Sequence, residues 1–140
     1  MAVVGFRHRV AFYRKSLAIV QKWHAVRPEN KHCFAFLDIN PLARGHALVV
    51  PKQETDYIFD LDDSLMRELF SFAGKIARAI DKTVVCKKVG MAVLGLEVPH
   101  AHIHLVPING IYDIDFSKPK LKFSPEEFSD IAGEIASHIE

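Results

Sequence analysis

The chain has 140 residues, 49% of them hydrophobic and 25% charged, with a formal net charge of +1. That length and balance predict one globular domain with its own core and exclude a disordered chain. The near-neutral charge removes the usual reason to expect nucleic acid, and no apolar run is long enough to span a bilayer.

The first acidic residue is Glu29, and six cations precede it: Arg7, Arg9, Arg14, Lys15, Lys22 and Arg27. Phe12, Tyr13, Ser16, Leu17, Val20 and Trp23 recur at helical spacing, which predicts an amphipathic helix over residues 9–24 with a solvated basic face. Residues 1–29 are thus expected to form a helical extension. Cys33-Phe34-Ala35-Phe36-Leu37-Asp38-Ile39 reads as a buried strand. Asn40-Pro41-Leu42-Ala43-Arg44-Gly45 is a turn, and His46 to Pro51 is a second strand stopped by proline. The short link makes these two an antiparallel pair.

Asp62-Asp63-Ser64 starts a long helix, expected over residues 62–82, with its acids at the positive end of the helix dipole. Leu65, Leu69, Phe72, Ala73, Ile76 and Ile80 form its apolar stripe. Residues 88–94 read as a third strand, in which Gly90 marks a bulge or a close backbone approach. Residues 108–123 show no periodicity and are expected to wrap the surface. Ser124-Pro125-Glu126-Glu127 then combines a serine cap, an early proline and a capping-box acid, opening a closing helix. Consecutive short strands with helices around them predict α+β with an antiparallel sheet. The domain is expected to cover residues 1–140, with a core over 30–108 and a C-terminal loop and helix over 109–140. The two cysteines, Cys33 and Cys86, form neither a Cys-x-x-Cys pair nor a disulfide framework, so a reducing cytoplasm is the expected compartment.

The most informative stretch is Pro99-His100-Ala101-His102-Ile103-His104-Leu105-Val106-Pro107. On a strand, residues two apart share a face, so His100, His102 and His104 form one row of imidazoles backed by apolar neighbours. Three rings in a row are costly as mere packing, because each buried ring nitrogen needs a partner. Two chemical uses follow: metal ligation, with His46, Cys33 or Cys86 as recruits, or nucleophilic catalysis by a neutral imidazole.

His100 to Val106 resembles the histidine triad signature, histidine-x-histidine-x-histidine followed by two apolar residues. An upstream block matches as well, Phe36-Leu37-Asp38-Ile39-Asn40-Pro41 followed by Gly45-His46-Ala47-Leu48-Val49-Val50-Pro51-Lys52. Together the two blocks are similar to the nucleoside phosphoramidate and dinucleotide hydrolase branch of the histidine triad family. The resemblance implies a five-stranded antiparallel sheet with a central long helix and a C-terminal helix. It also implies a homodimer and hydrolysis or transfer at the α-phosphate of a purine nucleotide such as an AMP derivative, with no metal or other cofactor required. By position, His102 is then the nucleophile, His100 orients it through the backbone, and His104 and His46 contact phosphate oxygens. Asp38 binds the ribose hydroxyls, Phe36 and Ile39 line the base pocket, and Asn40 and Val98 complete the substrate contacts. The family often carries Gln and then Ser or Thr shortly before the triad, where this chain has Leu96 and Glu97. That departure leaves two alternatives, a nucleotide-binding or partner-binding protein with little turnover and a metal-dependent hydrolase. It also makes Glu97 a candidate for recognising a cationic leaving group.

Overall fold

A computed structural model describes residues 28–140. The helix expected over residues 9–24 lies outside the described residues.

The chain forms β1 (Cys33–Leu37), β2 (Ala47–Pro51), α1 (Asp63–Thr83), β3 (Lys88–Ala92), β4 (Ile103–Ile108) and α2 (Pro125–Ser137), with a short 3-10 turn at Ile58–Asp60. Each helix begins as its cap residues dictate. The Asp62 carboxylate accepts from the Leu65 amide at 2.8 Å. At α2 the Ser124 hydroxyl and the Glu127 carboxylate each accept from the other's backbone amide, a complete capping box.

The sheet order is β1-β2-β4-β3, antiparallel throughout. The register gives the sheet two different faces. Cys33, Ala35, Leu37, Ala47, Val49, Ile103 and Leu105 point one way and share a core with Leu65, Leu69, Phe72, Ile76 and Ile80 of α1 and Phe128, Ile131 and Ile135 of α2. Phe36, Leu48, His104 and Ala92 are successive partners across the strands and so form one row on the opposite face. Asp38 and His46 continue that second face by the same period of two.

Two expectations need correction. Where the resemblance implies five strands, the sheet of the described residues has four, with one isolated bridge, Glu29↔Phe34, beside β1. The side chain of Asn30 accepts from the His32 and Cys33 amides, turning the chain sharply beside β1. The histidine stretch is also not one continuous strand: ladder pairing starts at Ile103. Its partner β2 ends at Pro51, and the next residues pair irregularly, with the Ala101 amide donating to the Thr55 carbonyl at 2.7 Å.

The expected irregular stretch does more than wrap the surface. Residues 109–123 form a strap that crosses the histidine face of the sheet. A Cβ on Gly90 would lie 2.6 Å from Ile114 Cδ1, so this glycine leaves the space that seats the strap on β3. At the far side the Leu121 amide donates to the Pro41 carbonyl at 2.8 Å, tying the strap to the β1–β2 loop.

Candidate active site

The site lies between the strap and the face of the sheet opposite α1 and α2. Its best-determined part is His46, delivered by the turn before β2. Gly45 holds φ +86°, where an L side chain is strained, and a Cβ there would approach Val84 Cγ2 to 2.8 Å. With glycine in place, His46 enters the sheet 1% exposed.

Hydrogen-bond partners fix where the imidazole protons sit. The Leu42 amide can only donate, and it donates to His46 Nδ1 at 3.0 Å. Neutral His46 therefore carries its proton on Nε2, which lies 3.0 Å from His104 Nδ1. His104 accepts there and keeps its own proton on Nε2. In the same way the His100 carbonyl can only accept, so in its neutral form His102 donates from Nδ1 at 2.7 Å and leaves Nε2 as a free lone pair. His100 donates from Nε2 to the Pro51 carbonyl at 2.7 Å. The His102 and His104 rings meet edge to face, centroids 4.8 Å apart.

The His46 and His104 rings are electrically neutral near pH 7. Burial, with a further push from Lys120, lowers the pKa of His46 to about 4. Burial, then the repulsion of His102 and His46, lowers His104 to about 3. Burial also lowers His100, partly offset by its bond to the Pro51 carbonyl. Asp38 sits at the end of β1 with Oδ2 3.5 Å from His46 Nε2 and 4.0 Å from His104 Nδ1. Its Oδ1 accepts from the Asn40 amide at 2.8 Å. Burial raises the pKa of this carboxyl, against the pull of the Asn40 amide.

Asp38, His46 and His104 bring one ligand atom each within 4.8 Å of one another, close enough in distance for a metal ion. The proton pattern does not suit one. A metal needs a lone pair on His46 Nε2, but the Leu42 amide already occupies the lone pair on Nδ1, so Nε2 must hold the proton. Ligation would require breaking that backbone bond or forming an imidazolate.

Of the residues expected at the site, the structure brings together Asp38, His46, His102 and His104, with His100 beside them. Phe36 is half-buried and stacks on Phe34, centroids 5.7 Å apart, one strand away from the histidines beyond Leu48. Ile39 and Val98 are half-buried, Asn40 is exposed and contributes its amide to Asp38, and Glu97 is exposed. The charge of Glu97 still reaches Asp38, where it adds to the rise in the carboxyl pKa. Sequence reasoning missed Phe116 and Lys120 on the strap. The Phe116 ring lies 4.7 Å from that of His104 and 6.3 Å from that of His46, centroid to centroid. The only sign of this contact in the chain was Gly90, a strand glycine that signals close approach.

The HIT domain family matches residues 21–110, a span that holds both sequence blocks and all four site histidines. The chain belongs to the HIT domain family. A Bacillus subtilis protein named Hit is 31% identical over 121 residues, covering 79% of this chain and 82% of that protein. A Schizosaccharomyces pombe protein named adenosine 5'-monophosphoramidase is 33% identical over 108 residues, covering 75% of this chain and 80% of its own length. Among solved structures, a HIT-like protein from Bartonella henselae superposes with a TM-score of 0.70 at 25% identity, covering 81% of this chain and 86% of that one. The α+β architecture of this HIT domain, an open antiparallel sheet with two helices among the described residues, agrees with that likeness.

Proposed function

We propose that this HIT protein hydrolyses or transfers the nucleotidyl group of purine nucleoside monophosphate derivatives, phosphoramidates or dinucleotides, through a nucleotidyl-His102 intermediate. The observation that carries the proposal is the bond from His102 Nδ1 to the His100 carbonyl, which turns an unprotonated Nε2 into the available nucleophile. The likeness to an adenosine 5'-monophosphoramidase supports the substrate class.

In the first step His102 Nε2 attacks the α-phosphorus. The N–P bond forms, the bond to the leaving group breaks, and a phosphoramidate's departing nitrogen takes up a proton from solvent, which the attacking water of the second step returns. The Nε2–H of His104 donates to a phosphoryl oxygen as charge redistributes, and it is held in that tautomer by His46. Water then attacks phosphorus, the N–P bond breaks, and His102 regains its lone pair. Asp38 binds the ribose hydroxyls, Phe36 and Ile39 face the base, and Asn40 and Val98 line the approach. In this reading the protein acts in the cytoplasm as a homodimer. The variant His102→Asn tests the assignment: hydrolysis of adenosine 5'-phosphoramidate by wild type should fall by at least about 1,000-fold, the scale on which loss of a covalent nucleophile acts. Retained turnover would overturn the nucleophile assignment. A second reading, nucleotide binding with little turnover, rests on Leu96 and Glu97 and predicts AMP binding without hydrolysis by the wild type.

A further inference from the structure

Three of the four site histidines resist protonation. His46 and His104 are neutral well below pH 7, and burial lowers His100 in the same direction. The fixed charges nearby are the carboxylates of Asp38 and Glu97, which repel an anion. A cation from elsewhere in the fold would offset that repulsion.

The strap supplies one. Lys120 is half-buried, and its Nζ lies 5.9 Å from the centre of the Phe116 ring, which itself packs on His104 and His46. The ammonium donates to the Phe116 and Lys118 carbonyls. That leaves one of its three N–H groups without a partner among the described residues. Its charge is felt inside the site: it favours the ionised form of Asp38 and disfavours protonation of His46. The strap that carries it is fixed at both ends, by Ile114 over Gly90 and by the Leu121 amide on the Pro41 carbonyl, so the charge is positioned before substrate arrives.

We infer that Lys120 is a further substrate-binding residue, the cation that receives the substrate phosphate across the strap. The inference rests on the nucleotide reading of the site and adds to it the group that compensates the phosphate charge. The Phe116 carbonyl positions Lys120 by accepting one of its hydrogen bonds, and the Phe116 ring packs on the imidazoles.

The test compares AMP with adenosine, which lacks the phosphate, as ligands of wild type, Lys120→Gln and Lys120→Arg in titration calorimetry. Lys120→Gln should weaken AMP about tenfold, the scale of one charge-assisted hydrogen bond, and leave adenosine within about twofold. Lys120→Arg should restore AMP binding to within about threefold, because the charge is kept. Wild-type AMP affinity should fall with added salt more steeply than that of Lys120→Gln. Equal losses of AMP and adenosine binding in Lys120→Gln would overturn the inference in favour of a purely structural lysine. AMP binding unchanged in Lys120→Gln would overturn it while leaving the nucleotide reading intact. Failure of the wild type to bind either ligand would overturn the nucleotide reading itself, and the inference with it.

Discussion

Acidification should destabilise this protein through two particular rings. His46 and His104 have ordinary values of 6.5 and native values of about 4 and about 3. Between those limits the unfolded chain binds protons that the native state refuses, so stability is complete above pH 6.5 and falls as pH drops. At pH 5 the unfolded chain sits about 1.5 units below the ordinary histidine value, which makes each ring cost about 2 kcal/mol and the pair about 4 kcal/mol. His100 acts in the same direction. The raised carboxyl of Asp38 acts in the opposite one, since its native state takes up a proton first, so it and His100 offset each other, leaving about 4 kcal/mol. That is a large share of the total stability of a domain this size. Urea unfolding of the wild type at pH 7 and pH 5, followed by circular dichroism, measures the loss directly. The variant His104→Asn should lose roughly half of the pH dependence, because one of the two rings is gone. A wild-type loss below about 1 kcal/mol between pH 7 and 5 would refute the neutral, buried assignment of these rings.

The strap gives a second prediction. Gly90→Leu should collide with Ile114, cost about 1–3 kcal/mol by overpacking, and weaken AMP binding by lifting Phe116 and Lys120 together; a denaturation midpoint and a titration read both effects. For Glu97, the expected result is a preference for lysyl-type adenosine phosphoramidates over neutral ones, reduced in Glu97→Gln; an unchanged ratio of kcat/KM values would remove the residue from leaving-group recognition. Turnover should be insensitive to EDTA, since His46 Nε2 carries a proton where a metal would need a lone pair. Loss of activity on chelation, restored by a divalent ion, would contradict that tautomer.

Much of this architecture was legible in the residues because each element carries its own signal. The stripe from Leu65 to Ile80 shows α1 buried on one side, and the structure adds only Ala79 to it. Ser124 and Glu127 mark the start of α2 through a capping box that is physically made. His100, His102 and His104 are all between 6% and 9% exposed, although only His104 lies in the ladder. What sequence could not show are contacts made by groups without local pattern. The carbonyls of His100 and Pro51 that fix the tautomers are backbone atoms common to every residue. The placement of Phe116 and Lys120 depends on an irregular strap whose path is set by Ile114, Leu121 and two distant anchors. The contact of Asp38 with His46 depends on the antiparallel register, in which the Asp38 amide donates to the His46 carbonyl at 2.9 Å.

The central claim is that His102 Nε2 forms a bond to phosphorus. Acid-free quenching of a turnover reaction with adenosine 5'-phosphoramidate labelled on the α-phosphorus, followed by peptide mapping, tests it most directly. The account predicts label on the peptide containing His102, released by water in the unquenched reaction and absent from His102→Asn. Turnover by the wild type with no protein-bound label, or label that persists in His102→Asn, would contradict it.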